Sequence, residues 1–484
     1  MSSKIKVLFA TAELAPLAKV GGLADVAGAL PPALYQLGVD VRIIIPKYGF
    51  IDEKKYRLKK ILAGLEVEFE KSKHLVNLYQ TVLPKTKIIV YLIDNKHYLG
   101  HGGVYVSADA APAGTKSEFE RFGFFSLAIL EVLKNMRWQP QIIHGNDWHV
   151  GLLPRLIKLK KLNIKTLTTI HNLAYQGWYN ENLVARALGY KKSFFSPIKN
   201  YIITLKEAIL ASDLLNTVSP SYAKEILTAE FGCGLGADLQ KRKESLFGIL
   251  NGIDTALFNP ATDKLIKEKY NLKNLKRKLL NKIYLQKICR LPQDEKIPLL
   301  GIVGRLTEQK GFDLLLPIFE DLMKKNLQLV ILAIGNKNFE KGLANFSQKY
   351  PDKLSFQPRF DLKLAQQIYA GADFFLMPSR FEPCGLGQMI AMRYGTVPIV
   401  RAVGGLKDTV INFNPSIGGQ NLKANGFSFK NYASAAFYKT TEEALNVYYH
   451  QPKIWRKLQA NSMTQDFSWQ TSAQKYLKLY RKLI

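Results

Sequence analysis

The sequence predicts an α/β protein made of two doubly wound units, each with a parallel sheet between layers of helices. Its 484 residues are too many for a single hydrophobic core, and a hydrophobic fraction of 47% supplies enough apolar side chains for two. In both halves, short apolar runs typical of buried strands alternate with amphipathic helical segments. Both halves also open in the same way, with a buried strand, a turn that contains glycine and a cation, and a helix.

In the first half, the turn between the first predicted strand (residues 4–10) and the first predicted helix (residues 23–37) contains Lys19, Gly21 and Gly22. Glycine has no Cβ, so backbone N–H groups can approach a ligand closely there. The N-terminus of the following helix favours negative charge, and the lysine adds a mobile cation. Taken alone, the turn fits a phosphate-binding loop and an ordinary Gly-Gly turn with a solvated lysine equally well.

The remaining elements of the first half follow the same alternation. Further parallel strands are expected at residues 39–46, 141–143 and 166–170, helices at 119–133 and 150–162, an antiparallel insertion at 59–93 and a loop over the site at 98–116. Pro31 and Pro32 are expected to kink or divide the first helix. Polar groups follow two of the strands, at residues 144–149 and at His171-Asn172. Because ligands bind outside the carboxyl ends of parallel strands, these groups are expected to share one crevice with Lys19.

The second half repeats the pattern from residue 298. A buried strand at 299–303 leads into a loop that carries Arg305 and Lys310 and then into a helix at 312–323. Arginine can bind two phosphate oxygens at once, and lysine adds a point charge. Further strands are expected at 327–334, 372–377 and 396–400, and an amphipathic helix at 469–483 can cross back to the first unit. Two such units facing each other would form a cleft suited to a diphosphate.

The net charge, the cysteine spacing and the hydropathy of the chain bear on whether it binds nucleic acid, spans a membrane or contains disulfides. The net charge of +29 is concentrated, since residues 264–290 hold ten Lys or Arg and one acidic residue. This stretch reads as a helix with basic residues on all sides and a solvated surface, so no nucleic-acid partner is expected. No apolar run is long enough for a membrane span, and because a strand is predicted at the N-terminus, no signal or transit peptide is expected. Three cysteines without metal-type spacing suit a reducing compartment, and a cytoplasmic location is expected.

Six motifs in order resemble bacterial glycogen synthases and plastid starch synthases. They are Lys19-Val20-Gly21-Gly22-Leu23-Ala24-Asp25-Val26, His144-Gly145-Asn146-Asp147-Trp148-His149, Ile170-His171-Asn172-Leu173-Ala174-Tyr175-Gln176-Gly177, Leu250-Asn251-Gly252-Ile253-Asp254, Arg305-Leu306-Thr307-Glu308-Gln309-Lys310-Gly311 and Ser379-Arg380-Phe381-Glu382-Pro383-Cys384-Gly385-Leu386. The resemblance covers nearly the whole chain. It implies two Rossmann-like domains facing across a cleft (the GT-B arrangement), at residues 1–255 and 256–465, with a terminal helix at 466–484 packed on the N-terminal domain.

The resemblance also implies an activity: retaining transfer of glucose from ADP-glucose to the non-reducing 4-OH of an α-1,4-glucan, with release of ADP and without a metal or pyridoxal phosphate. The implied catalytic residues are His171 at the transferred glucose, Arg305 and Lys310 at the diphosphate, and Glu382 at the sugar hydroxyls. The implied substrate-binding residues are Lys19, Gly21, Gly22, Asp25, Asp147, Asn172, Asn251, Cys384, Gly385 and Leu386. Retention in this family is thought to need no enzyme nucleophile, so Glu382 is not assigned that role.

Several positions depart from the family pattern and leave alternatives open. Val20, Gly387 and Asn336 replace residues that would offer a hydroxyl or a carboxylate, and Asn200-Tyr201 replaces a Gly-Gln pair. The alternatives are the same reaction with UDP-glucose, or a degenerate glucan-binding protein without turnover. A glycan phosphorylase would need a lysine context for pyridoxal phosphate that the sequence lacks. A metal-dependent transferase of the single-domain kind would need an Asp-x-Asp motif, which is absent from the sequence.

Overall fold

The computed structural model describes residues 4–105, 116–414 and 423–484, and the chain divides into two compact units. The first unit comprises Met1–Gly252 and Trp469–Ile484, and the second comprises Ile253–Ser468. Part of the loop expected at residues 98–116 lies outside the described residues, since the description stops at Tyr105 and resumes at Lys116.

The first unit alternates strands and helices from its start. Its strands are β1 (Lys6–Ala10), β2 (Asp40–Pro46), β3 (Lys59–Phe69), β4 (Ser72–Val82), β5 (Ile89–Asp94), β6 (Ile142–Asn146), β7 (Lys165–Ile170), β8 (Trp178–Asn180), β9 (Tyr201–Ile203), β10 (Leu214–Thr217) and β11 (Leu246–Gly248). Its helices are α1 (Gly22–Gln36), α2 (Lys116–Asn135), α3 (Leu153–Leu159), α4 (Glu181–Leu188), α5 (Thr204–Ala211), α6 (Pro220–Glu225) and α7 (Gly236–Lys241), and the unit also includes the last helix of the chain.

The described strands of this unit form a nine-stranded sheet in the order β11-β10-β7-β6-β1-β2-β5-β4-β3, and β8 and β9 form a separate antiparallel pair. The strands from β11 to β5 are parallel, with β1 central between β2 and β6. The segment at residues 59–93, expected as an antiparallel insertion, is antiparallel in the structure, because β3 pairs with β4 and β4 with β5, and through β5 it extends this sheet. The crossover at β1 places the carboxyl ends of β1 and β6 side by side.

The first helix runs from Gly22 to Gln36 as one element, although Pro31 and Pro32 lie inside it, so of the two expected effects, a kink or a division, the division does not occur. A proline removes one intrahelical hydrogen bond, but Leu30 and Leu34 on either side of the pair are fully buried. Tertiary packing of this apolar face therefore maintains the helix across the two prolines.

The second unit contains a six-stranded parallel sheet within its described residues, in the order β14-β13-β12-β15-β16-β17. Its strands are β12 (Leu299–Leu306), β13 (Gln328–Gly335), β14 (Leu354–Gln357), β15 (Phe374–Met377), β16 (Val397–Arg401) and β17 (Phe427–Phe429). Its helices are α8 (Lys278–Ile288), α9 (Phe312–Leu315), α10 (Phe319–Lys324), α11 (Lys337–Lys349), α12 (Leu362–Gly371), α13 (Gly387–Arg393), α14 (Gly404–Thr409), α15 (Ser434–His450) and α16 (Pro452–Met463).

The last helix, α17 (Trp469–Leu483), belongs to the first unit. It packs its apolar face on α1. Within the unit, the Tyr476 hydroxyl accepts a hydrogen bond from the Asn216 side chain at 2.8 Å, and the Tyr480 hydroxyl lies 2.8 Å from His144 Nδ1. The chain therefore returns to its first unit after completing the second.

The basic stretch at residues 264–290 is only partly a solvated surface. Lys278 and Lys282, on α8, are both buried. The Lys278 ammonium donates to the Ala370 carbonyl and the Thr396 hydroxyl, each at 2.7 Å, and Lys282 pairs with Asp373 at 2.8 Å. The expectation of a helix solvated on all sides is therefore wrong for this face of α8. None of the helices within residues 4–105, 116–414 and 423–484 has the length and apolarity to cross a membrane.

Candidate functional site

A buried carboxylate organises the turn after β1. Glu13, 3% exposed, accepts hydrogen bonds through Oε2 from the amides of Val20 at 2.9 Å and Gly21 at 2.7 Å. Tyr105 donates its hydroxyl to the other oxygen, Oε1, at 2.6 Å. Glu13 thus fixes the conformation of the Lys19–Gly22 turn, and the amide of Gly21, a predicted substrate-binding residue, already has an acceptor within the unit.

The remaining groups of this turn point outward. Lys19 pairs with Asp25 at 2.6 Å, and both side chains are about half exposed. A Cβ added at Gly22 would meet no atom within 4 Å, so the fold of this unit does not itself require glycine there. The open space beside Gly22 is the feature expected where a backbone must accept a close ligand.

Asp147 follows β6 in a strained conformation. Its φ of 59° and ψ of −172° lie in a region that is occupied almost exclusively by glycine. Its carboxylate accepts a hydrogen bond from the His171 amide at 2.7 Å. Burial raises the pKa of Asp147 to about 7, although backbone hydrogen bonds from His171 and Asn172 act in the opposite direction. Backbone strain and a shifted pKa at the same residue are typical of functional sites.

His171, half-buried at the end of β7, contacts Asn146 from β6. The Asn146 amide nitrogen donates to the carbonyls of Ala10 and His144, so its Oδ1 must accept the hydrogen from His171 Nε2 at 3.0 Å. Nε2 therefore carries the proton and Nδ1 keeps its lone pair. Burial lowers the pKa of His171 to about 3, so the ring is neutral at physiological pH.

The other two histidines near the strand ends have different surroundings. His144 lies within β6 and is fully buried, with Nδ1 2.8 Å from the Tyr480 hydroxyl and Nε2 2.7 Å from the Thr169 hydroxyl. His149 is buried beside Trp148, their ring centroids 4.0 Å apart. Burial lowers the pKa of both to about 3. His144 ties the sheet to α17, and of the three histidines only His171 is partly open to solvent.

Two asparagines of the predicted site lie in the same unit but differ in their contacts. The Asn172 side chain accepts from the Ala174 amide at 3.1 Å and so stabilises its own turn. Asn251 is 5% exposed, and its Oδ1 has no hydrogen-bond partner among the described residues. A buried acceptor without a donor costs free energy, so Asn251 suits a ligand hydroxyl better than a purely structural role.

In the second unit, Arg305 is the second-last residue of β12 and Lys310 lies in the turn that follows the strand. Arg305 is exposed, and its guanidinium makes no hydrogen bond or ion pair with the described residues. Lys310 Nζ lies 2.6 Å from Glu382 Oε2, and the Ser379 hydroxyl donates to the same oxygen at 3.1 Å. Glu382 is 6% exposed, so a buried carboxylate holds the lysine in place. Gly311 closes the turn with φ +77°, and a Cβ there would lie 2.0 Å from the Pro378 carbonyl oxygen.

A second tight turn carries Cys384, Gly385 and Leu386 between β15 and α13. Gln388 donates to the carbonyls of Cys384 at 3.2 Å and Gly385 at 2.8 Å, which fixes the turn from within α13. Gly385 has φ +72°. The Gly405 amide donates to the Glu382 carbonyl at 3.0 Å. The structure thus brings the predicted residues 382–386 together with Lys310 at the carboxyl end of this sheet.

Sequence reasoning missed Glu13 and Tyr105, which shape the first of these turns. The only signal for Glu13 is an acidic residue in an otherwise apolar run after β1, at a position that the structure buries. No group of three or more His, Cys, Asp and Glu side chains within the described ranges could hold a metal ion.

Comparison with known proteins gives the same two-part division. A family model described as Starch synthase catalytic domain matches residues 6–241, and one described as Glycosyl transferases group 1 matches residues 287–458. A solved structure titled as the catalytic domain of starch synthase IV from Arabidopsis thaliana, bound to ADP and acarbose, superimposes with a TM-score of 0.88 at 33% identity, over 99% of both chains. The fold and the matched models define a glycosyltransferase with two α/β domains of the GT-B type.

Relatives that match over their full length show to which family of glycosyltransferases the chain belongs. The chain is 40% identical to a glycogen synthase of Thermotoga petrophila, over 99% of each chain. It is 42% identical to a glycogen synthase of Clostridium novyi, also over 99% of each chain, and 43% identical to one of Lactococcus lactis over 99% of this chain and all of the relative. The chain belongs to the glycogen synthase and starch synthase family.

Proposed function

We propose that the protein transfers glucose from ADP-glucose to the non-reducing 4-OH of an α-1,4-glucan, with retention of the anomeric configuration and release of ADP. The first unit would bind the glucan. The second unit would bind the nucleotide sugar. The observation that carries the proposal is the Lys310–Glu382 pair beside the exposed Arg305 at the end of β12.

These two cations suit a diphosphate leaving group. Negative charge accumulates on the leaving oxygen as the glycosidic bond breaks, so fixed cations stabilise the transition state more than the ground state. Lys310 is held by Glu382 and costs little reorganisation, whereas Arg305 is free to fork onto two phosphate oxygens. Arg305 and Lys310 therefore have the roles of diphosphate ligands in this proposal.

Glu382 would hold sugar hydroxyls and would not attack the anomeric carbon. Its Oε2 already accepts from Lys310 and Ser379, which lowers its nucleophilicity. The turn at Cys384, Gly385 and Leu386 would offer backbone groups to the donor. The second oxygen of Glu382 stays available for a hydroxyl donor.

In the first unit, His171 would act as a hydrogen-bond acceptor for the transferred glucose. Its neutral ring carries the proton on Nε2, toward Asn146, and presents the Nδ1 lone pair. Asn251 Oδ1 would accept from a second hydroxyl, which supplies the missing partner of that buried atom. The acceptor side would be lined by Lys19, Asp25 and the Gly22 amide. The Asp147 carboxylate would fix the turn at His171 by accepting a hydrogen bond from the His171 amide.

The test is a donor comparison with the purified protein. Glycogen, or maltoheptaose reduced at its reducing end, is incubated with ADP-glucose or UDP-glucose, and the released diphosphate is measured. The expected result is ADP release with growth of the reduced oligosaccharide, and β-amylase should remove the added glucose as part of maltose. If UDP is released from UDP-glucose faster than ADP is released from ADP-glucose, the donor is UDP-glucose. Glycogen binding without any diphosphate release would mean a glucan-binding protein without turnover.

A further inference from the structure

Arg121 is a buried cation on α2 that holds a loop through four backbone carbonyls. Its side chain is 0% exposed. Its Nε donates to Tyr98 O at 3.3 Å, one terminal nitrogen donates to Gly103 O at 2.6 Å and Val104 O at 2.9 Å, and the other donates to His101 O. A buried guanidinium is costly unless its donors are satisfied, and here the main chain of residues 98–104 satisfies them.

Tyr105 directly follows the segment that Arg121 holds. The Tyr105 hydroxyl donates to Glu13 at 2.6 Å, and Glu13 accepts from the amides of Val20 and Gly21. Arg121 is therefore connected to the turn that the proposed function places on the acceptor side, through its hydrogen bond to the Val104 carbonyl, the main chain to Tyr105 and the hydrogen bonds of Glu13.

A second route joins Arg121 to the same carboxylate. The guanidinium carbon lies 5.6 Å from the centroid of the Tyr48 ring, a cation–π distance. Tyr48, also fully buried, donates its hydroxyl to Ala12 O at 2.8 Å, one residue before Glu13. Arg121 thus supports Glu13 from its backbone side and from its carboxylate side.

We propose that Arg121 is a positioning residue for the reaction. It sets residues 98–104 so that Tyr105 and Glu13 fix the Lys19–Gly22 turn in its binding conformation, and it contacts no substrate itself. A lysine cannot replace it, because one ammonium on a flexible chain cannot reach four carbonyls in a planar fork. This inference rests on the proposed function for its kinetic consequence, but its structural part can be measured separately.

The test compares Arg121→Lys with a matched control in the same unit. Arg242 also donates to backbone carbonyls, those of Ser212 at 2.7 Å, Asp213 at 3.3 Å and Ile209. It contacts neither Tyr105 nor the loop at residues 98–104. We expect Arg121→Lys to lower kcat about tenfold with the KM for ADP-glucose within about twofold, and Arg242→Lys to leave kcat within about twofold even if it lowers stability by the same amount.

A second readout needs no activity. Hydrogen exchange at the Val20 and Gly21 amides should accelerate about tenfold in Arg121→Lys and stay unchanged in Arg242→Lys, because only the first variant loosens their acceptor. Tyr105→Phe, which removes only one hydroxyl, should accelerate hydrogen exchange at the same amides. It takes the place of Arg121→Lys in this test if Arg121→Lys does not fold. Adding Arg121→Lys to Tyr105→Phe should lower kcat by no more than a further twofold.

The outcomes separate the two proposals. If Arg121→Lys and Arg242→Lys exchange at Val20 and Gly21 with equal rates, or if the Arg121 and Tyr105 effects on kcat simply multiply, the positioning role is wrong. If the wild-type protein releases no diphosphate, the proposed function fails, while the exchange rates still decide whether Arg121 fixes the turn.

Discussion

Replacing Lys310 with methionine separates leaving-group stabilisation from structural support. The side chain keeps its length and apolar stem but loses the ammonium that lies 2.6 Å from Glu382. If this ammonium acts on the leaving diphosphate, kcat should fall about 10²–10³-fold, the size of effect seen when one preorganised transition-state donor is removed, about 2.7–4 kcal/mol. The KM for glucan should stay within about threefold, because the lost contact is with the donor.

The same substitution is also expected to lower the free energy of unfolding. Glu382 would remain buried and would keep only the Ser379 hydroxyl, 3.1 Å away, as a side-chain donor. An incompletely satisfied buried acceptor costs about 1–3 kcal/mol. Neutralising the acid as well, in Lys310→Met/Glu382→Gln, should recover most of this stability but none of the lost rate. The second substitution therefore restores stability without restoring turnover.

Lys325 provides the matched control, since it forms a 2.6 Å pair with Glu442 in the same unit with both side chains about 40% exposed. An exposed ion pair contributes little to stability because water and salt screen it, so Lys325→Met should change neither kcat nor the urea midpoint appreciably. ADP release is measured at saturating donor and glucan, and unfolding in urea by fluorescence. A Lys310→Met enzyme that keeps its kcat within about fivefold would show that this lysine does not act on the leaving group.

The two-unit α/β architecture could be predicted because it depends on local periodicity and on the repeated strand-turn-helix opening. The order of the strands could not, since pairing such as that of β4 with β5 is decided by which apolar faces meet in three dimensions. The sequence also could not show that part of the basic stretch at residues 264–290 is buried. Lys278 and Lys282 have the same chemistry as their exposed neighbours, and only the position of α8 against α12 decides that they are buried.

The candidate site divides in the same way. Residues at the ends of strands, such as His171 and Lys310, follow from the sequence because the carboxyl ends of parallel strands share an edge. Glu13 and Tyr105 are 92 residues apart and meet only in the folded unit. The positive φ of Asp147 is likewise set by tertiary contacts, its amide donating to Thr169 O and its carboxylate accepting from the His171 amide. Polar networks of this kind leave no periodic signal in the chain.

Three further perturbations test groups with unusual surroundings. The rate should fall as pH is lowered through about 7, because protonation of Asp147, whose pKa is about 7, weakens its hold on the His171 amide; in Asp147→Asn this limb of the pH–rate profile should disappear. Tyr480→Phe should lower the free energy of unfolding by about 1–3 kcal/mol, because it leaves a buried nitrogen of His144 without its partner, and kcat per folded molecule should not change. Lys278 is a pH-dependent case: burial lowers its pKa from 10.5 to about 7. The unfolded chain therefore binds more protons at this residue between pH 7 and 10.5. The stability of the wild type relative to Lys278→Met should rise over that window and be constant below it, as measured by urea unfolding of both proteins at several pH values; a difference that does not vary with pH would mean that the Lys278 ammonium stays charged in the folded protein.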